Sequence, residues 1–139
     1  MKTLYLTIGL AVLILITACS KTKLKNEYAP LIGKWKWVYS IGGESGNTLL
    51  TPTSTGRNYT VEFCKRGNYK ICASNTLRNT NGRVKIENNQ ITFMPNVTSS
   101  KKNSFFYNFQ RFHIDTNDTL MLVDLGITEP FWKVFIKIK

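Results

Sequence analysis

The residues best suited to chemistry in this chain of 139 residues are three cysteines and a single histidine. Cysteine and histidine are common ligands of zinc, and a thiol beside an imidazole is a common nucleophile with its base. With His113 alone, a set of two cysteines and two histidines cannot be completed. The sequence also lacks an activated-serine motif, paired carboxylates at a legible spacing and a phosphate-binding glycine-rich loop. We therefore predict no metal site, no cofactor and no catalytic residues, and a protein that is not an enzyme.

The first cysteine, Cys19, ends an apolar segment at the start of the chain. Lys2 supplies a positive charge, residues 4–16 are almost wholly apolar, and the small residues Thr17 and Ala18 follow. This order is typical of a secretory signal peptide, and the run is shorter than the about 20 residues that a membrane-spanning helix needs. Ile16-Thr17-Ala18-Cys19 resembles the bacterial lipobox, in which the cysteine is lipidated and becomes the first residue of the mature protein. An ordinary cleaved signal with an incidental cysteine is the alternative.

Lipidation of Cys19 divides the chain into three parts. Residues 1–18 are then the lipoprotein signal peptide, residues 19–30 a basic tether and residues 31–139 one folded domain. A diacylglycerol together with an amide-linked acyl chain anchors a protein stably, because each buried methylene contributes about 0.8 kcal/mol. We therefore expect the membrane to be a partner through this lipid anchor.

Cys64 and Cys72 remain as a pair in an oxidising compartment, where a disulfide persists. They lie in YTVEFCKRGNYKIC, residues 59–72, where alternation predicts two strands joined by a turn, with both cysteines on the polar face. If the turn is centred near Asn68, the cysteines are directly opposite, and Cβ atoms about 4.5–5.5 Å apart are close to disulfide geometry. We therefore predict a Cys64–Cys72 disulfide. A turn at Arg66-Gly67 removes that geometry.

The charge of the chain is strongly positive, with 19 Lys and Arg against 8 Asp and Glu and a net charge of +11. Such a charge is compatible with nucleic acid or anionic lipid as a partner. However, the basic residues are scattered along predicted strands and turns, and no nucleic-acid-binding motif is present. We predict no nucleic-acid partner and interpret most of the charge as a solvated surface, with the tether lysines next to lipid headgroups.

Alternation of apolar and polar residues with period two recurs along the domain and helical periodicity is absent, so the predicted fold class is all-β. Residues 66–68, 88–89 and 115–118 predict tight turns because they are rich in Gly, Asn and Asp. Short successive antiparallel strands favour an up-and-down barrel of about eight strands, which has no exposed edge. A sandwich is the alternative, since residues 42–57 and 95–103 are long enough for crossing connections. The predicted strands are residues 34–41, 58–64, 69–74, 83–87, 90–94, 104–114, 119–125 and 131–138.

Three segments of the domain resemble those of a known protein family. LIGKWKW contains the Gly-x-Trp signature of the first lipocalin strand, here Gly33-Lys34-Trp35. VEFCKRGNYKI is similar to the next strand–turn–strand of lipocalin-like lipoproteins of the Bacteroidota, and DTLMLVDLG followed by FWKVFIKIK is similar to their closing strands. The resemblance covers residues 31–139 and implies a lipocalin-like up-and-down antiparallel β-barrel.

Two features differ from what the resemblance implies. Many lipocalins stack an arginine near the last strand on the first-strand tryptophan, whereas this strand offers Lys133, Lys137 and Lys139. Surface-displayed lipoproteins of the Bacteroidota often have acidic residues after the lipidated cysteine, whereas Lys21 and Lys23 follow Cys19 here. We therefore predict a location in the cell envelope at the outer membrane, facing the periplasm, with surface display as the alternative.

Alternation also assigns side chains to the interior or the outer wall of the barrel. Residues 104–114 are ambiguous, and we assign the face with three aromatics before its polar end to the interior. The side chains assigned inward are Trp35, Trp37, Tyr39, Ile41, Tyr59, Val61, Phe63, Tyr69, Ile71, Val84, Ile86, Ile91, Phe93, Phe105, Tyr107, Phe109, Arg111, His113, Trp132, Val134, Ile136 and Ile138.

This aromatic interior leads to two hypotheses, since a barrel of eight strands is either filled by its side chains or holds a small ligand. The first is binding of a small apolar or amphipathic molecule in the barrel. The second is a filled barrel that acts as a non-enzymatic interaction module, binding an envelope protein through its loops. An open cavity favours the first hypothesis and a packed interior the second. The ligand-binding residues expected under the first are Trp37, Tyr39, Tyr59, Tyr107, Phe109 and Arg111.

Overall fold

A computed structural model describes residues 24–74, 79–96, 105–106 and 108–139 of the protein. The predicted signal peptide, Cys19 and Tyr107 lie outside these residues. The described residues contain a 3-10 helix, Asn26–Leu31, and a single-turn α-helix α1, Pro52–Thr55. Neither has the length and apolar character that spanning a membrane would require. The strands are β1 Gly33–Gly42, β2 Thr48–Leu50, β3 Tyr59–Phe63, β4 Asn68–Ala73, β5 Thr80–Glu87, β6 Gln90–Pro95, β7 Phe109–Ile114, β8 Thr119–Asp124 and β9 Phe131–Ile138.

The strands form one antiparallel sheet that closes on itself. From β3 to β9 each strand pairs with the next, and β1 pairs with both β3 and β9. Eight strands thus form a closed barrel, and β2 extends the sheet beside the second half of β1. The predicted all-β, eight-stranded antiparallel barrel is confirmed, and closure excludes the sandwich. The long segment 42–57, which we expected to be loop, contains β2 and α1.

Turn residues hold the hairpins where the sequence predicts them. Asn88 and Asn89 have φ of 50° and 59° between β5 and β6, and Asp118 has φ of 54° before β8. Asparagine and aspartate tolerate this left-handed region better than most residues. The Asp115 carboxylate accepts the N–H of Thr119 at 3.0 Å, which fixes the last of these turns.

The 3-10 helix Asn26–Leu31 closes one end of the barrel, termed the capped end; the opposite end is termed the loop end. Leu31 is fully buried, and the indole N–H of Trp35 donates to its carbonyl at 2.8 Å. Nζ of Lys137 lies 5.0 Å from the centroid of the Trp35 ring and donates to the Pro30 carbonyl at 3.0 Å. Lys137 therefore lies over the first-strand tryptophan, at the position where the resemblance to lipocalins predicts an arginine.

Aromatic rings make up much of the barrel core. The ring of Phe93 has centroid distances of 5.0 Å to Tyr69, 5.8 Å to Phe106 and 6.1 Å to Phe63, and Phe106 is 5.9 Å from Phe135. Favourable ring pairs contribute about 0.5–1.5 kcal/mol beyond their burial, which itself contributes about 1.5–3 kcal/mol for each large apolar side chain. Most inward assignments in β3 to β6 are confirmed by this core.

The second half of β1 departs from the predicted alternation. Trp37 pairs with Phe135 but Tyr39 pairs with Val134, so Val38 forms a β-bulge. A bulge adds one residue and moves every following side chain to the other face. The inward assignments of Tyr39 and Ile41 were therefore wrong: both are exposed on the outer wall.

The predicted inward face of β7 was also wrong. Gln110 and Phe112 are buried, whereas Phe109, Arg111 and His113 are exposed. Strand pairing begins at Phe109, several residues later than predicted. The assignment treated the aromatics before Phe109 as part of the same strand, and this placed the wrong face of β7 inward.

In β9 the interior contains Lys133 and Phe135, while Trp132 and Ile136 are exposed. Our assignment placed the apolar residues of this strand inward and the lysine outward. The assignment failed because the charge of Lys133 is matched inside the barrel by Asp124, as described below.

The predicted Cys64–Cys72 disulfide was wrong, because both thiols are free. The N–H of Cys64 donates to the Asn68 carbonyl at 2.9 Å, so the turn is centred on Arg66. In this register Cys72 lies opposite Thr60. Cys64 is four residues farther along the chain than Thr60, about 13 Å in an extended strand. It is therefore beyond the reach of a disulfide to Cys72.

Candidate functional site

The six predicted ligand-binding residues separate into two groups in the barrel. Trp37 and Tyr59 lie together in the interior, with ring centroids 5.7 Å apart. The other three described residues are on the outer wall and cannot line an interior site; they are Tyr39, Phe109 and Arg111. Tyr107, the sixth, lies outside the described residues. The predicted site is therefore reduced to one pair of aromatic rings.

That pair is packed rather than open. Phe105 stacks on Tyr59 at 3.9 Å and meets Trp37 edge-on at 5.0 Å. The Trp37 indole N–H donates to the hydroxyl of Ser40 at 2.9 Å, and Trp37 is only 1% exposed. Since side chains of the barrel itself surround both rings, these rings act as core.

A group of polar side chains crosses the interior near the loop end and is termed the polar layer: Ser40, Gln110, Asp124 and Lys133, each buried. Ser40 pairs with Lys133 across β1 and β9, and Gln110 pairs with Asp124 across β7 and β8. The Asp124 carboxylate accepts hydrogen bonds from Lys133 Nζ and from Gln110 Nε2. Polar side-chain contacts therefore join β7, β8 and β9 inside an otherwise apolar barrel, and Ser40 of β1 lies beside them.

Burial changes the pKa of one member of the polar layer and leaves another member with an unpaired acceptor. Desolvation lowers the pKa of Lys133 below its ordinary value, against the opposing effect of the Asp124 carboxylate. Oε1 of Gln110 is buried, and no residue in the described ranges donates a hydrogen bond to it. A buried acceptor without a donor costs about 1–3 kcal/mol. Sequence reasoning missed this layer, although Asp124 follows Leu120 and Leu122 at the inward spacing.

The outer wall carries a contiguous apolar surface over β2, β1 and β9. Ile41 pairs with Leu49 of β2 on one side and with Trp132 of β9 on the other. Directly paired residues project on the same face, so their side chains are neighbours. The surface is termed the wall patch and consists of Tyr39 (37% exposed), Ile41 (39%), Leu49 (56%), Trp132 (49%) and Ile136 (45%).

Charges of both signs border the wall patch. Lys36 lies beside it towards the capped end, and Arg111 lies across β8 from it. At the loop end, Trp132 borders a groove of about 570 Å³ that is also lined by Glu44 and Glu129. An apolar centre with a mixed polar rim and an adjoining groove is the usual anatomy of a protein-binding surface.

The opposite wall of the barrel is polar. The outward positions of β3, β4 and β5 include the exposed residues Glu62, Lys70, Arg83 and Lys85. The β3–β5 wall pairs without the register shift that turns Tyr39 and Ile41 outward in β1. Large apolar side chains are thus concentrated on the β1–β9 side.

A second groove, of about 1190 Å³, lies at the capped end between the 3-10 helix and the turns, and its lining includes Tyr28, Glu27, Glu87 and Asp115. Asp115 serves the turn, since the N–H of Thr119 binds its carboxylate and lowers its pKa. Across the described ranges, no three His, Cys, Asp or Glu residues are grouped to hold a metal ion.

Comparison of the sequence with protein-family models and with curated proteins finds no match. The lipocalin-like description rests on the closed barrel of eight strands and concerns the fold. Because barrels of this kind serve many functions, the function is argued below from the site residues.

Proposed function

We propose that this protein is a lipid-anchored, non-enzymatic module of the bacterial cell envelope that binds another envelope protein through the wall patch. The exposure of Trp132 carries this proposal: its indole is 49% exposed, and Ile41 and Val123 are its direct cross-strand neighbours. Contiguous exposed apolar surface marks interaction sites, and tryptophan is enriched among the residues that dominate binding energy.

Packing of the interior favours this function over capture of a fatty ligand. Trp37 and Tyr59 are 1% and 6% exposed and pack against Phe105. An acyl chain would have to displace these rings from the core. The outer wall needs no such rearrangement.

The border of the wall patch favours a protein over a bilayer as the docking partner. Anionic headgroups attract Lys36 and Arg111 but repel Glu44 and Glu129. A folded partner can complement charges of both signs around one apolar centre. We expect acidic groups on the partner opposite β7 and the capped end, and basic groups opposite the loop end.

The path of the chain favours an orientation in which the capped end of the barrel faces the membrane. The N–H of Leu24 donates to the carbonyl of Lys65, in the β3–β4 turn at the capped end, at 3.1 Å. The residues from Cys19 to Leu24 span at most about 18 Å. A lipid on Cys19 would therefore hold the capped end near the membrane, and Trp132 and Leu49, at the loop end, would point away from it.

Several features support a lipocalin-like lipoprotein of the Bacteroidota type at the outer membrane, facing the periplasm. They are the lipobox-like Ile16-Thr17-Ala18-Cys19, the Gly-x-Trp signature with Trp35 at the capped end, and the closed barrel. The basic residues after Cys19 favour the periplasmic face.

Replacement of Cys19 by serine tests the anchor. Membrane attachment requires the thiol that accepts the lipid, so Cys19→Ser is expected to move the protein from the membrane pellet to the soluble fraction. Cys64→Ser is the matched control and should pellet like the wild type. A Cys19→Ser protein that is processed and still pellets would contradict the anchor.

Site-specific photo-crosslinking in the native cells tests docking. A photoreactive phenylalanine analogue at position 132 or 49 is expected to give one discrete adduct with a second protein, whereas the same analogue at position 85, on the polar wall, should give none. Ile41→Asp should abolish the adduct because it places an unmatched charge at the centre of the patch.

The mass of the adduct distinguishes the possible occupants. An adduct of twice the chain mass would indicate a second copy of this protein, and adducts with lipid alone would indicate a membrane-docking face; either contradicts the proposed partner. Once the partner is identified and purified, its binding should shield Trp132 from iodide quenching. Trp35 and Trp37, the other two tryptophans, are already buried.

A further inference from the structure

The polar layer has no role in docking through the outer wall, because its four side chains are buried inside the barrel. A layer of apolar residues would fill the same space without placing an amino group, a carboxylate and an amide in the core. Buried charged and polar groups of this kind concentrate at functional sites. The composition of the layer therefore calls for an explanation beyond packing.

Gln110 supplies the observation that points to a ligand. The side chain is fully buried, and its Nε2 donates to the Asp124 carboxylate, which fixes the orientation of the amide. Its Oε1 accepts no hydrogen bond from any part of the chain that the structure describes. Buried acceptors in folded proteins nearly always have a donor. The described residues therefore leave this acceptor open to a donor from a bound molecule.

We propose that the polar layer binds one small neutral molecule, which donates a hydrogen bond from a hydroxyl or N–H group to Oε1 of Gln110. This is a second binding site, separate from the wall patch and independent of it.

The charges of the layer decide the chemical class of the ligand. Lys133 and Asp124 form an ion pair and neutralise each other. A carboxylate ligand offers Gln110 no donor, and its charge would be buried without a partner. An ammonium ligand would likewise bury a charge that the neutralised pair does not compensate. A neutral alcohol or amide meets neither obstacle, so fatty acids are excluded and alcohols are favoured.

Ring packing decides its size. Nζ of Lys133 lies 5.7 Å from the centroid of Phe105, which stacks on Tyr59 at 3.9 Å. Both rings border the layer, and Tyr59 is only 6% exposed. The ligand must therefore be compact, with a few carbon atoms rather than an acyl chain.

Glutamine-selective ¹⁵N labelling of the full-length chain tests the site. The sequence has two glutamines, and Gln90 begins β6 at the capped end, so its side-chain amide is an internal control. The protein is titrated in zwitterionic micelles with 1-butanol, butyrate and butylammonium. We expect a saturable shift of the Gln110 amide signals with 1-butanol alone, and no saturable shift of the Gln90 signals.

Saturation-transfer difference spectra of 1-butanol then compare two variants. Gln110→Met keeps the length of the side chain but removes the acceptor, and should weaken binding at least tenfold; Gln90→Met should bind like the wild type. Absence of a saturable shift, equal shifts with butyrate, or unaltered binding by folded Gln110→Met would each overturn the proposal. If Gln110→Met does not fold, the wild-type titrations decide it.

Discussion

The ammonium group of Lys137 lies over the indole of Trp35, 5.0 Å from the ring centroid, and donates to the Pro30 carbonyl at 3.0 Å. These contacts join the last strand, the first strand and the segment that precedes it. The carboxylate of Asp118 is 3.9 Å away and adds a weak, solvent-exposed attraction. One side chain therefore connects three segments of the chain at the capped end.

Lys137→Met should lower the free energy of unfolding by about 1 kcal/mol, because it removes a cation–π contact and a hydrogen bond at a half-buried position. Lys137→Arg should retain most of the stability, since guanidinium also stacks on indole. Urea unfolding followed by far-ultraviolet circular dichroism measures both. Lys139→Met, at an exposed position, is the control, and an equal loss in that variant would show that the effect is one of net charge.

The ion pair of Lys133 and Asp124 should behave as a coupled unit. Lys133→Met leaves the Asp124 carboxylate buried without its partner, and such a change typically costs about 3–5 kcal/mol. The double variant Lys133→Met/Asp124→Asn removes the charge while keeping an acceptor for Gln110, and should recover at least half of that loss. Urea unfolding of the wild type, both single variants and the double variant gives the coupling free energy. Additive losses would contradict the pair.

The sequence predicts this barrel well where local signals suffice. The turns at Asn88 and Asn89, and the strands around them, form as expected because residue type limits φ and alternation sets the buried face. Trp37 and Tyr59 lie inside for the same reason.

The remainder depends on tertiary contacts that have no local signal. The bulge at Val38 lies within the pairing of β1 with β9, and it moves Tyr39 outward. Lys133 is buried because Asp124, on a different strand, neutralises it. Hydropathy assigns each residue alone, so it predicts neither the bulge nor the burial of Lys133. The inward spacing of Asp124 after Leu120 and Leu122 is the one local signal of the polar layer.

The thiols of Cys64 and Cys72 should remain free in the folded protein. Cys64 is exposed and should react with iodoacetamide within minutes, and Cys72, half-buried, should react more slowly. Cys64→Ser and Cys72→Ser should each change the stability by no more than about 0.5 kcal/mol, since no cross-link is lost. Peptide mapping of alkylated protein folded under oxidising conditions checks this. Recovery of a linked Cys64–Cys72 peptide would contradict the observed register.

Tyr69 should make the stability of the domain depend on pH in alkaline solution. Burial raises its pKa from 10.0 to about 12. Between these values an unfolded chain releases the phenolic proton while the folded protein keeps it, so the contribution of Tyr69 is complete below pH 10 and is lost as the pH rises towards 12. Tyr69→Phe should show a smaller loss between pH 9 and pH 11 than the wild type in urea unfolding. An identical loss in both proteins would indicate that other groups cause it.

Trp37 should act as a core residue rather than as part of a ligand cavity. Its ring packs edge-on against Phe105 and Tyr59 at centroid distances of 5.0 and 5.7 Å, and its indole N–H donates to Ser40. Trp37→Ala should therefore lower the free energy of unfolding by roughly 3–5 kcal/mol. Trp132→Ala removes the same side chain from the outer wall, where half of it is exposed, so the loss should be clearly smaller, about 1 kcal/mol. Denaturant unfolding of both variants measures the difference. A small loss for Trp37→Ala, together with saturable binding of a fluorescent fatty acid by the wild type that this change abolishes, would show that the ring lines an open cavity.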